Sequence, residues 1–271
     1  MCGMKSPKET VLESKILRQL GEYPFAASLA RLLFSDEETS HIQDYANVVS
    51  IRRLGFNDHG PVHMRQVAYN AIKALLILHK AGVKTSLEED EAGVFEDSLA
   101  SVLLSGFLHD LGMSVGRECH ERTSAMLALP IIDRHLQVLL PEDLRRRVVI
   151  RSLALEGILG HMGTTRIHSL EAGLILVGDG YDMTKGRARI SLALLDRPHV
   201  GDIHKYSANA ILHVRIGPGA ERPLRIDVEM AAEVGFFQVE EVLMQKLSMS
   251  PARSLIERSA GVAGQDRKRY L

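Results

Sequence analysis

Ionisable side chains stand inside the most apolar segments of this 271-residue chain, and this feature constrains its fold more than any other. His109 and Asp110 end an apolar run that begins at Leu103, and Asp179 lies within the apolar run 176–183. A helix that is apolar on every side is buried, and a buried carboxylate is costly unless it is paired or binds a metal. The chain must therefore fold so that these groups meet partners in its interior.

Helical spacing of apolar residues extends through most of the first 206 positions. Ser6 and Glu9 predict a capping box, Asp36 predicts a second helix start, and Pro61 opens a long helix after a turn at 55–60. After a polar loop, further helices are expected at about 97–110, 117–129, 141–160 and 168–183.

The pattern changes near residue 207. Leu224, Ile226 and Val228 alternate with charged residues, which predicts a half-buried strand that forms a hairpin with 211–216. Helical spacing returns at 238–247. We therefore predict a mainly α protein: an N-terminal helical extension at 1–35, a metal-binding helical bundle at 36–206, and a small C-terminal α/β lobe at 207–271.

Charge and cysteine content narrow the class of protein. The 33 basic and 34 acidic residues almost cancel, which gives no argument for nucleic acid or a membrane surface as a partner. No apolar run approaches the roughly 20 residues of a membrane-spanning helix, and charged residues near the start of the chain argue against a signal peptide. Cys2 and Cys119 fit no zinc or redox motif. We expect a cytoplasmic protein with reduced thiols.

Histidines form the other half of the pattern. His63 lies on the first turn of the helix that Pro61 opens, His120 follows the His109-Asp110 doublet, and His161 ends an apolar helix. Helical proteins build metal sites from such groups, which several helices direct into one bundle interior. Mixed imidazole and carboxylate ligands suit Mn, Fe, Co, Ni or Zn better than Mg.

The order His63, His109-Asp110, Asp179 resembles the HD superfamily of metal-dependent phosphohydrolases, which are helical domains named for the doublet. The resemblance covers about residues 57–200. It implies an HD-type bundle in which these four side chains ligate a metal. It also implies a catalytic role for His109 and Asp110.

His120 and His161 fall where the binuclear branches of that superfamily carry extra metal-ligating histidines. The resemblance therefore implies two ions, with Asp110 as the bridging carboxylate. The branch that hydrolyses cyclic dinucleotides has paired histidines and a Gly-Tyr-Pro signature, whereas Met162 follows His161 here. Hydrolysis of cyclic di-GMP is not implied.

Several residues near the predicted centre have two interpretations. His59 precedes His63 by one helical turn, where some relatives have a carboxylate ligand; it is either a metal ligand or a turn histidine with a local hydrogen bond, and the second is the commoner case. Arg117, Lys185 and Arg187 are candidates to bind a substrate phosphate. Each of these cations alone is more often a solvated surface charge.

The expected function is hydrolysis of a phosphomonoester or phosphodiester, with nucleotides among the candidates, by a metal-activated water. Two alternatives stay open: a metal-containing sensor or scaffold without turnover, and a di-iron oxygenase, which oxygen-dependent turnover would reveal. The expected substrate is a phosphorylated small molecule.

The C-terminal lobe raises a separate question, because a lone hairpin is marginal and its apolar face must be covered. The cover is either the bundle or the same lobe of a second subunit, and we slightly favour the homodimer. Because every candidate ligand precedes residue 206, we expect the bundle to form its metal site without the lobe.

Overall fold

The computed structural model describes residues 5–182 and 203–270 and confirms a mainly helical protein with a small C-terminal α/β lobe. The helices are α1 (Pro7–Gln19), α2 (Pro24–Phe34), α3 (Glu37–Val48), α4 (Pro61–Lys80), α5 (Ser86–Glu89), α6 (Phe95–Leu108), α7 (His120–Leu139), α8 (Leu144–Gly160), α9 (Leu170–Gly180) and α10 (Ile203–Ala210). The lobe adds β1 (Ile211–Pro218), β2 (Leu224–Met230), α11 (Gly235–Phe237), α12 (Met244–Met249), β3 (Ile256–Val262) and β4 (Lys268–Tyr270). In the part of the chain described, no helix has the length and apolarity needed to cross a bilayer.

The predicted helix starts at the N-terminal end of the chain are confirmed. Ser6 Oγ accepts a hydrogen bond from the Glu9 backbone N–H at 3.4 Å, and the Glu9 carboxylate accepts one from the Ser6 N–H at 2.9 Å. Asp36 caps α3 by accepting from the Thr39 N–H at 2.7 Å. These caps satisfy backbone donors that the first helical turn leaves without partners.

Helix α7 is longer than the sequence predicts, because it passes through Pro130 instead of ending near residue 129. A proline removes one helical hydrogen bond and frees the carbonyl four residues earlier, here that of Met126. Both Pro130 and Met126 are exposed, so water can satisfy that carbonyl. Beyond the proline, Ile131 and Ile132 are fully buried, and their burial keeps the helix going.

The bundle is built around α6, which is buried along almost its whole length and packs against α2, α4, α8 and α9. The α4 and α6 backbones approach closely at Gly106, where an added Cβ would lie 2.6 Å from the Ala68 Cα. On the side facing α8, a Cβ at Gly157 would lie 2.6 Å from the Ser105 hydroxyl oxygen. These glycines let three helices come together just before the His109-Asp110 doublet.

The lobe contains a four-stranded sheet in the order β1-β2-β3-β4. The predicted hairpin is confirmed, since β1 and β2 pair antiparallel. The sequence did not predict β3, which pairs parallel with β2, or β4, which pairs antiparallel with β3.

The apolar face of the sheet is covered within the chain. Leu224, Ile226 and Val228 are buried in the same hydrophobic core as the bundle helices, and β1 and β2 contact α4. The argument that this face needs a second subunit therefore loses its basis, and the homodimer stays a prediction.

Candidate metal centre

Helix ends bring the six predicted metal ligands together in the bundle interior. The first turn of α4, the end of α6, the start of α7, the end of α8 and the last turn of α9 each direct side chains to one point. All six side chains belong to residues no more than 8% exposed. They are His63, His109, Asp110, His120, His161 and Asp179.

Asp110 lies at the middle of the cluster and faces two sets of imidazoles. Its Oδ2 is 3.2 Å from His63 Nε2 and 3.4 Å from His109 Nε2. Its Oδ1 is 3.2 Å from His120 Nε2 and 3.4 Å from His161 Nε2. One carboxylate thus presents a separate oxygen to each pair, the arrangement expected of a bridging ligand.

We name the first pair of imidazoles, His63 and His109, together with Asp179 the α4 group. The second pair, His120 and His161, is the α7 group. Asp179 completes the α4 group with its Oδ1 3.3 Å from His63 Nε2. In each group the two imidazole Nε2 atoms are 3.1 Å apart.

An oxygen acceptor outside the centre fixes the orientation of each ring. The Nδ1 atoms of the four histidines lie 2.6–3.0 Å from such acceptors: Asp182 Oδ2 for His63, and the carbonyls of Gly106, Arg117 and Ile158 for His109, His120 and His161. Donation of the Nδ1 proton outward leaves the Nε2 lone pair directed inward. Metal-ligating histidines characteristically have such partners.

The chemistry of these donors fits a metal ion. Two Nε2 lone pairs 3.1 Å apart repel each other unless a proton or a metal cation lies between them. Burial opposes the proton, since it lowers the pKa of His161 to about 4. A neutral imidazole is the form that binds a metal.

Both carboxylates supply negative charge to the centre. Burial alone would raise the pKa of Asp110, but the surrounding histidines, His109 first and then His59 and His120, hold it well below its ordinary value. The pKa of Asp179 is likewise held well below its ordinary value against burial, chiefly by Lys246. Buried imidazoles with ionised carboxylates are the donor set that Zn, Fe, Mn and related ions take.

Three overlapping triads have donor atoms within 4.8 Å of one another, close enough to share an ion. They are His59–His63–Asp110, His63–His109–Asp179 and His109–Asp110–His161.

His59 joins the centre across the fold. Its Nδ1 lies 2.6 Å from Asp110 Oδ2, and the side chain is only 12% exposed. The sequence favoured a local hydrogen bond for this residue, whereas its ring reaches a carboxylate 51 residues further along the chain. His59 therefore lies at the centre, and its role as a ligand stays a prediction.

Sequence reasoning missed two charged residues at the centre. Asp182, which holds His63, stands one helical turn after Asp179, so the spacing of the two carboxylates was a usable signal. Lys246, on α12, forms an ion pair with Asp179 Oδ2 and donates to the His161 carbonyl at 3.1 Å. No local pattern connects Lys246 to residues so distant in sequence.

A cavity of about 200 Å³ opens onto Asp110, His161 and Asp179. Arg117 lines this cavity, with guanidinium nitrogens 3.9 Å from the sulfurs of Met113 and Met162. Within residues 5–182 and 203–270 no carboxylate lies within ion-pair distance of Arg117. The other two predicted phosphate ligands, Lys185 and Arg187, lie outside the described residues.

Comparison with known proteins finds a relative over most of the chain. The uncharacterized protein MJ1020 of Methanocaldococcus jannaschii is 39% identical over 224 residues, which cover 83% of this chain and 84% of the relative. The chain belongs to the MJ1020 family. The alignment is longer than the predicted bundle at 36–206, so the sequence shared within the MJ1020 family extends beyond the bundle. No protein-family model and no solved structure matches the chain.

Proposed function

We propose that this protein is a metal-dependent phosphohydrolase of the HD type that cleaves a phosphomonoester or a phosphodiester. One observation carries the proposal: Asp110 offers one oxygen to each of two imidazole groups beside a cavity that the Arg117 guanidinium lines. The centre thus combines a donor set for metal with a cation for phosphate. The order of ligands along the chain, which resembles the HD superfamily, supports the same assignment.

The α4 group and the α7 group would each hold one ion, and Asp110 would offer an oxygen to both groups. Mn, Fe, Co, Ni and Zn suit these ligands. When bound, such a pair of ions lowers the pKa of a water molecule and stabilises the oxygens of an in-line phosphoryl displacement.

The side chains of the protein orient the reacting groups. Asp110 and His109 are the residues to which we assign the catalytic role, and burial keeps their geometry fixed. We assign Arg117, which lines the cavity, to the substrate phosphate, because a guanidinium can bind two non-bridging oxygens through parallel hydrogen bonds. Phe56 lies under this guanidinium, with 5.6 Å between the ring centroid and Arg117 Cζ, and helps to hold it.

A hydrolysis assay with metal analysis tests the proposal. Protein purified without chelator should contain about two transition-metal ions per chain and should hydrolyse p-nitrophenyl phosphate, its diester, or a member of a panel of phosphorylated metabolites. EDTA should abolish the activity. Asp110→Asn should lower the hydrolysis rate more than about 100-fold. Loss of a residue that only orients a ligand typically costs about 10- to 100-fold, and Asp110 is assigned as a ligand itself. Asp133→Asn, at a half-exposed carboxylate, is the matched control and should retain activity.

The alternatives give different results in the same experiment. Protein that carries its full metal content but hydrolyses nothing in the panel would contradict the proposal and favour the sensor or scaffold. Turnover that requires oxygen would favour the di-iron oxygenase.

A further inference from the structure

The C-terminal lobe reaches the metal centre through the ammonium group of Lys246. The side chain of Lys246 is 14% exposed, and its Nζ pairs with Asp179 Oδ2 and donates to the His161 carbonyl oxygen at 3.1 Å. Asp179 belongs to the α4 group and His161 to the α7 group. Lys246 therefore contacts both groups from outside.

The two oxygens of Asp179 have different partners. Oδ1 faces the imidazoles, 3.3 Å from His63 Nε2, whereas Oδ2 is held by Lys246. A carboxylate held by one oxygen presents the other in a fixed direction. Partners of this kind are a general feature of metal ligands and raise metal affinity.

The packing beside Asp179 accommodates the lysine. A Cβ at Gly180 would lie 3.3 Å from Lys246 Cδ and 3.4 Å from Leu243 Cδ1, so any larger residue there would press on the lysine stem. The ammonium is also largely withdrawn from water, and a charge that is buried this far requires its partner.

We propose that Lys246 is a positioning residue that orients Asp179 and the end of α8 for metal binding. The centre then depends on the C-terminal lobe, contrary to the expectation that the bundle suffices. This inference rests on the metal centre of the proposed function but not on its hydrolytic activity.

Metal affinity without substrate tests the inference. Co²⁺ is titrated into the full-length apoprotein in competition with a chromophoric chelator, and the visible absorption of bound Co²⁺ reports the geometry of its ligands. Lys246→Met should weaken Co²⁺ binding about 10- to 100-fold and change the spectrum. Lys246→Arg should recover most of the affinity, because a guanidinium can donate to both the carboxylate and the carbonyl.

The control is Lys268→Met, a lysine of the same lobe whose side chain is 57% exposed and pairs with Glu240; it should bind like the wild type. Thermal unfolding verifies that each variant is folded. If Lys246→Met does not fold, Lys246→Gln gives the same comparison, since it keeps an N–H donor but no charge.

Wild-type affinity and spectrum in folded Lys246→Met would overturn the inference. Unchanged metal affinity with a raised KM would also overturn it and would assign Lys246 to the substrate instead. A wild-type protein that binds Co²⁺ but hydrolyses nothing would refute the proposed activity alone, whereas one that binds no Co²⁺ would refute the centre and this inference with it.

Discussion

Gly112 offers a direct way to move one half of the metal centre. It lies in the 3-10 turn Leu111–Ser114 that follows Asp110, and its N–H donates to the Ser124 hydroxyl at 2.7 Å. A Cβ at this position would lie 2.1 Å from the His120 carbonyl oxygen and 2.7 Å from the Ser124 nitrogen. Both are backbone atoms of α7, so they cannot rotate away.

The Gly112→Ala substitution should therefore push the start of α7 away from Asp110. Restoring ordinary contact requires a shift of roughly 1 Å, while metal–ligand distances tolerate about 0.2 Å. We expect loss of the ion held by the α7 group and retention of the ion held by the α4 group. Overpacking of this kind costs about 1–3 kcal/mol, or a fall in Tm of about 2–12 °C at this chain length.

Elemental analysis and thermal unfolding measure the two effects on the same samples. Gly116→Ala is the matched control, because an added Cβ there meets nothing within 4 Å. The reasoning is refuted if Gly112→Ala keeps both ions, or if Gly116→Ala loses an ion as well.

Two further predictions concern the stability of the fold outside the metal centre. Arg65 is 1% exposed and donates to the buried Gln43 amide oxygen at 2.8 Å and to Glu13 at 2.9 Å. Arg65→Ala removes both hydrogen bonds and leaves a cavity, so it should lower the free energy of unfolding in urea by about 2–5 kcal/mol. Arg269→Ala, at a side chain 76% exposed, should change it by less than about 0.5 kcal/mol, and equal effects would contradict the argument. Backbone N–H groups, that of Ala220 above all, lower the pKa of Glu257 below its ordinary 4.5. The ionised carboxylate therefore stabilises the folded state above pH 4.5, and this contribution is lost as the pH falls through the lower pKa that Glu257 has in the folded state. The urea midpoints of the wild type and Glu257→Gln should therefore differ at neutral pH and converge once the pH falls below the pKa of Glu257 in the folded state, and a difference that persisted in acid would be inconsistent with this cause.

The sequence predicted the parts of this protein whose cause is local. The Ser6 and Asp36 caps follow from hydrogen bonds within one helical turn. The cluster around Asp110 was predictable because a carboxylate in an apolar helix requires partners, and histidines in similar contexts supply them.

The remaining features depend on contacts between distant segments. Strand β3 gains its place by parallel pairing with β2, and Lys246 meets Asp179 only after the lobe has folded onto the bundle. At Pro130 the local signal gave a wrong prediction. A proline favours a helix end, but burial of Ile131 and Ile132 keeps the helix going. For His59 the local hydrogen bond seemed the commoner case, but the turn carries the ring to Asp110.

The Nδ1 hydrogen bonds described for the centre have a consequence for how it assembles. His109, His120 and His161 each donate to a carbonyl three residues earlier, so each ring is aimed by its own stretch of backbone. The hydrogen bond that orients each of these three donors is therefore local, and it lies within one helical turn of its histidine. Because these imidazole rings are already held in place, little of their rotational freedom is lost when an ion binds. Such preorganisation increases the affinity for the ion. His63 differs, because its orientation depends on the side chain of Asp182 and is set only when α9 docks against α4.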